Sequence, residues 1–194
     1  MLDSTFEVLY LAGFGLGSVI RAVYTRPLRR RSITHDHRTR LDTALLSFAS
    51  LGLVLPLVYV LSPWLDFADY ELPAWAGWTG AAVFAGALWL LWRSHVDLGR
   101  HWSPVLQIRE EQALVTCGVY RRIRHPMYAA HWLWGVAQVL LLQNWIAGPA
   151  MLVAFLPLYL VRVPREEQMM LEHFGDQYRS HLERTGRIIP RLWR

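Results

Sequence analysis

A chain of 194 residues is about one domain long, and 54% hydrophobic against 18% charged content lies away from the balance of an ordinary soluble domain. The twenty basic residues are all Arg, for a net charge of +5, and they cluster between apolar runs. That pattern argues against a nucleic-acid binder and for a membrane face carrying anionic lipid. Cys117, the single cysteine, excludes an intrachain disulfide and a cysteine-rich metal site, and the acidic start MLDSTFE reads as no cleavable signal.

A bilayer core needs about 20 apolar residues as a helix. The first candidate span covers residues 6–24, with an uncharged centre from Val8 to Ile20. Its Gly13, Gly15 and Gly17 lack a preceding strand and the later glycine of a nucleotide loop, so they read as small residues for close helix contact. Residues 43–65 form a second span free of charge, with Pro56 as a kink, and residues 72–92 a third that ends at Arg93. From Pro126 to Val161 no Asp, Glu, Lys or Arg occurs. One straight helix of that length would run about 54 Å, too long for a bilayer. Gln143-Asn144 and Gly148-Pro149 offer a break, giving two antiparallel spans at residues 126–142 and 145–161.

Charge supplies orientation. The segment after the first span carries Arg21, Arg26, Arg29, Arg30, Arg31, Arg38 and Arg40, whereas the one after the second holds Asp66, Asp69 and Glu71. The segment after the third is again rich in Arg, the turn after the fourth is uncharged, and the tail beyond Val161 is basic. The alternation predicts an all-α integral membrane protein of five transmembrane helices. Its N-terminus is outside, and a C-terminal helix lies in the cytoplasm. The whole chain, 1–194, reads as a single domain, and residues 107–128 and 162–190 share the cytoplasmic face. The tail predicts a helix over Pro164–Arg184, with Met170, Phe174 and Tyr178 as its apolar stripe and Gly175 as its weak point.

Two polar segments could carry chemistry. Arg124-His125-Pro126 stands where a loop meets the fourth span, and Pro suits a first helical position. The positive end of that helix suits an anion, with His125 at its mouth; alternatively Arg121, Arg122 and Arg124 only set topology. Arg162 and Glu166 share a face if the fifth helix continues through Pro164. They read either as a weak surface pair or as a binding pair at the end of an apolar span, with Glu167 a possible substitute. His131 reads as a hydrogen-bonded packing residue. No spacing supports a metal site.

Gln112-Ala-Leu-Val115, Gly118-Val-Tyr120, Arg124-His-Pro-Met-Tyr128 and Arg162-Val-Pro-Arg-Glu-Glu167 together resemble the isoprenylcysteine carboxyl methyltransferase family, in a prokaryotic-type form. His95-x-Asp97-Leu-Gly99, Trp102-Ser103, Phe174-Gly175-x-x-Tyr178, Thr185-Gly-Arg187 and Pro190 extend the likeness from Arg93 onward. The resemblance implies a membrane enzyme that moves a methyl group from S-adenosylmethionine to the carboxylate of a prenylated cysteine. By motif, Gln107, Gln112, Ala113, Leu114, Val115, Tyr120, His125, Pro126, Met127, Tyr128 and Glu166 would line the cofactor site. Arg162 would meet the substrate and act in catalysis. The implied partners are a prenylcysteine-like lipid and the membrane, with no nucleic acid and no metal, and the implied location is a bacterial inner membrane. Other acceptors (a phospholipid or another small lipid), a nicotinamide-dependent lipid reductase and a non-enzymatic scaffold stand as alternatives.

Overall fold

The computed structural model describes residues 2–25, 39–99 and 114–191. Six α-helices run in chain order: α1 (Leu2–Thr25), α2 (Arg40–Leu61), α3 (Ala74–Leu98), α4 (Pro126–Leu142), α5 (Ala150–Phe174) and α6 (Asp176–Arg184). Short 3₁₀ turns occupy Pro63–Ala68 and Gly118–Arg121. Thr39 opens α2 with a capping box: its hydroxyl accepts from Asp42 N at 3.1 Å, and its own N–H donates to Asp42 Oδ2 at 3.0 Å. Three helical stretches, Thr5–Thr25, Arg40–Leu61 and Ala74–Leu98, are long and apolar enough to cross a bilayer. The 17-residue α4 and the apolar half of α5 form the hairpin expected from residues 126–161.

The core lies where α1, α3 and α4 meet. Phe6, Tyr10, Phe84, Ala87, Leu91, Trp134 and Ala137 are buried there, and α2 packs on α5. A Cβ on Gly13 would meet the Phe84 ring and one on Gly17 the Trp134 ring, while Gly15 faces open space. Two of the three glycines therefore serve close approach, as expected. Buried Gln138 is fully used: it accepts from Tyr10 Oη at 2.9 Å and donates to the carbonyls of Ala147 at 2.7 Å and Gly148 at 3.1 Å. Val8, Leu16, Val54, Trp89, Val153 and Leu160 point outward and are exposed, as suits side chains solvated by lipid.

One end of the bundle is closed by the acidic loop and the α4–α5 turn. Asn144 Nδ2 donates to Leu65 O at 2.7 Å and Asp69 Oδ1 at 2.8 Å; Tyr70 N donates to Gln143 O at 2.8 Å. The other end gathers residues 114–125 with 162–191.

Three boundaries depart from expectation. α3 runs to Leu98 rather than 92, because Arg93 and Asp97 pair along it and Gly99, at φ 51°, ends it. α5 starts at Ala150, not 145, since Asn144 Oδ1 holds the amides of Ile146 and Ala147 in a turn. The expected tail helix Pro164–Arg184 is not one element. Its first half continues α5 without a break through Pro157 and Pro164, and Gly175, at φ 54°, separates α6.

Candidate active site

The site is built where the start of α4 faces the charged half of α5. Gly118 begins it. Its φ of 59° and the Asp97 carboxylate in the space a Cβ would take leave room for glycine alone. Asp97 Oδ2 accepts from Val119 N at 2.9 Å, which ties this turn to the end of α3. The turn presents Tyr120, 8% exposed, whose hydroxyl reaches Ser94 O at 3.4 Å; burial pushes its phenol up, so it stays neutral.

From there the backbone is locked by the tail. Arg124 N donates to Gly186 O and His125 N to Arg187 O, each at 2.9 Å, while Gly186 N returns to Arg122 O at 3.1 Å. These bonds form a parallel bridge between Ile123 and Gly186. The segment around Thr185-Gly-Arg187 is thus a strap across the loop that aims His125.

Two adjacent glutamates on α5 then divide the work. Glu167 is 8% exposed and enclosed by cations. Its Oε1 accepts from Arg124 Nε at 3.1 Å, Arg187 Nε at 3.1 Å and His125 Nε2 at 3.3 Å, and its Oε2 from Arg187 Nη2 at 2.5 Å. Burial alone would raise its pKa; the bonds from His125, Arg187 and Arg124 outweigh that and hold it at about 2. The same contact raises Arg187 above its ordinary range. Glu166 faces the other way. Its Oε1 accepts from Tyr128 Oη at 2.6 Å and lies 3.3 Å from Arg162 Nη2; among the described residues its Oε2 meets His125 Nδ1 at 3.6 Å. A carboxylate has about four acceptor positions, so Glu166 keeps capacity that Glu167 has spent. Arg162 is 11% exposed at its side chain, and its buried Nε has no partner among the described residues.

The structure therefore brings His125, Tyr128, Arg162 and Glu166 into one cluster. Tyr120 is buried in the 3₁₀ turn against Ser94, Pro126 and Met127 open α4, and Leu114 and Val115 lead into that turn. Gln107, Gln112 and Ala113 lie outside the described residues. Sequence reading gave no role to Glu167, Arg187, Arg124 or Asp97 as a positioning set. Thr185-Gly-Arg187 and His95-x-Asp97-Leu-Gly99 were visible as motifs, but nothing in their spacing says which distant partner they hold.

With the geometry in hand, likeness to other proteins carries weight. Residues 78–172 match the profile of the isoprenylcysteine carboxyl methyltransferase family. The chain is similar to that family over just under half of its length. It is 33% identical over 97 residues to protein-S-isoprenylcysteine O-methyltransferase B of Arabidopsis thaliana, covering 49% of each protein. With isoform A of the same plant it shares 27% over 143 residues, covering 73% of each. The solved structure of a eukaryotic intramembrane Ras methyltransferase, isoprenylcysteine carboxyl methyltransferase, superposes at a TM-score of 0.57 and 22% identity, over 94% of this chain and 62% of that one. That likeness gives the fold, and with the outward apolar faces it makes this chain an integral membrane protein. The chain spans about half the length of most of the curated relatives it matches.

Proposed function

We propose that this protein is an isoprenylcysteine carboxyl methyltransferase-like enzyme that transfers a methyl group from S-adenosylmethionine to the carboxylate of a prenylated cysteine or a similar lipidic acid, giving a methyl ester. One observation carries the reading: α4 and α5 bring Tyr128, Glu166 and Arg162 together, with an acceptor on Glu166 and a donor on Arg162 both left over among the described residues. A cofactor with an amino-acid end offers an ammonium for Glu166 and a carboxylate for the positive end of α4 beside His125. Leu114, Val115, Tyr120, Met127 and Tyr128 suit its adenosyl part, and Gln107, Gln112 and Ala113 belong to the same proposed lining.

When bound, S-adenosylmethionine supplies an electrophilic sulfonium methyl: the S–CH₃ bond breaks as a carboxylate oxygen forms the new O–CH₃ bond. The acceptor is already ionised, so no side chain has to remove a proton. Arg162 holds the acceptor carboxylate through its free donor and its position at the end of the apolar half of α5. Glu166 and Tyr128 fix the donor end, and the strap holds the backbone of His125 in place beside it. The assignment of five spans, with the site on the cytoplasmic side of a bacterial inner membrane, belongs to this proposal and rests on the alternation of Arg.

The test combines binding and turnover. The purified protein is expected to bind S-adenosylhomocysteine and not a nicotinamide nucleotide, and to move labelled methyl onto a farnesylcysteine analogue. Binding of the nicotinamide nucleotide alone would overturn the reading. Label transfer to phospholipid but not to the analogue would keep the donor and replace the acceptor.

A further inference from the structure

Arg21 differs from the other arginines outside the cluster around Glu166 in that its guanidinium meets a histidine of another helix. Arg21 lies one turn before the end of α1, and its side chain reaches across to α4. Its Nη1 is 3.0 Å from His131 Nε2, one helix away and five residues into α4. At about 1.5 Å per residue that is roughly 7 Å beyond the start of α4, on the bilayer side of the methyl-transfer site. A charge that only sets topology extends toward water. This one is held at the apolar border.

The protonation of the pair follows from its partners. His131 Nδ1 is 2.6 Å from Met127 O, and a carbonyl only accepts, so Nδ1 carries the hydrogen. Nε2 then has a lone pair and accepts from the guanidinium, which only donates. The imidazole is neutral, and its ring is fixed by stacking on Phe155 of α5 at 5.2 Å. His131 therefore aims Arg21 without neutralising it. No ion pair among the described residues includes Arg21, and the residue is exposed. A guanidinium has five N–H donors, so most remain directed outward. An unpaired charge at this depth is costly, and an anion from outside relieves it.

We propose that Arg21, aimed by His131, binds the oxyanion head of a lipid lying against α4 between α1 and α5. A phosphodiester and a carboxylate share the needed chemistry: two oxygens in reach of the guanidinium fork, on a molecule whose tail stays in the bilayer. The first source is an anionic phospholipid of the inner leaflet; the second is the carboxylate of a lipidic acid approaching the site from the membrane. His131 and the proposed cofactor wall are one helical turn apart, since His131 bonds the carbonyl of Met127. Occupancy of this place therefore adjoins the path of a lipidic acceptor.

Native mass spectrometry of the full chain in neutral detergent tests the site without requiring turnover, so it stands or falls apart from the proposed reaction. Phosphatidylglycerol and phosphatidylcholine are compared as ligands, and so are N-acetyl-S-farnesylcysteine and its methyl ester. Arg40→Gln, at an exposed basic position on the same end, controls for general loss of charge. Arg21→Gln is expected to lower retention of one of the acids about tenfold or more, with its neutral counterpart unchanged and Arg40→Gln like wild type. Selective loss of phosphatidylglycerol identifies a phospholipid phosphate, and selective loss of the farnesylcysteine acid identifies a substrate carboxylate. His131→Phe keeps a ring against Phe155 while removing the acceptor, and is expected to weaken the same ligand by a smaller factor. The proposal is overturned if Arg21→Gln, with an unchanged melting midpoint, retains both acids as wild type does. It is equally overturned if acids and neutral lipids fall together, or if Arg40→Gln matches it. Should Arg21→Gln fail to fold, unchanged retention in His131→Phe gives the same refutation.

Discussion

Replacing Glu167 by Gln removes one negative charge from among three basic side chains and keeps the shape. In the native protein that carboxylate takes Arg124 Nε at 3.1 Å, His125 Nε2 at 3.3 Å and Arg187 Nη2 at 2.5 Å. A carboxyl held at about 2 instead of the ordinary 4.5 is stabilised in its ionised form by about 3 kcal/mol. Breaking a buried pair from one side costs about 3–5 kcal/mol, which agrees, although Arg187 at 45% exposure moderates the loss. At roughly 2–4 °C per kcal/mol for a chain of this size, Glu167→Gln should melt about 6–12 °C below wild type in detergent. The pH dependence supplies the sign. Because the folded-state pKa is lowered, the stabilisation is fully present above about 4.5 and disappears as pH falls from there toward about 2. Wild type should lose melting temperature across that window, and Glu167→Gln should lose less. A variant melting within about 2 °C of wild type, or one with the same acid profile, would refute the assignment of Glu167 as the clamp.

Other perturbations reach the neighbouring parts. Arg162→Ala should lower turnover by about 10- to 100-fold, with the affinity for S-adenosylhomocysteine changed far less; equal activity removes Arg162 from the site. Tyr128→Phe deletes the 2.6 Å bond to Glu166 and should weaken cofactor binding about tenfold in a calorimetric titration, with folding unaffected. Gly118→Ala forces a Cβ onto the Asp97 carboxylate at a φ of 59° and should cost about 1–3 kcal/mol in melting experiments. Cys117 is exposed and is the single cysteine, so an impermeant maleimide should label it in inside-out vesicles and not in intact cells. Trp145→Cys with Cys117→Ser should show the reverse.

Much of the architecture was legible because bilayer spans leave a simple signature. Uncharged runs located the helices, and Gln143-Asn144 and Gly148-Pro149 marked the turn between α4 and α5. The continuation of α5 through Pro164 was harder to read. Proline lowers helix propensity locally, whereas here the pair of Arg162 with Glu166 along the helix, and the tertiary contacts of Arg165 with Asp42 and Glu167 with Arg187, hold it together. At the site, the i,i+4 spacing of Arg162 and Glu166 was readable, but the different duties of Glu166 and Glu167 were not. Neighbours in sequence point about 100° apart on a helix, and only the position of Arg187, on a strap after α6, shows which carboxylate is enclosed. Arg21 illustrates the same limit. In the sequence it is one of many basic residues, and its distinction comes from a histidine on another helix.

The unbroken course of α5 has a mechanical consequence. In the proposed five-span arrangement its apolar half, from Ala150 to Val161, lies in lipid, and its charged half carries Arg162, Glu166 and Glu167 on the same rod. Whatever tilts the first half swings the second with it, and helices adjust their tilt when acyl chains lengthen or shorten. The spacing between Glu166 and Tyr128 is thereby geared to bilayer thickness, and catalytic rate should pass through a maximum as the acyl chains of the surrounding lipid are varied.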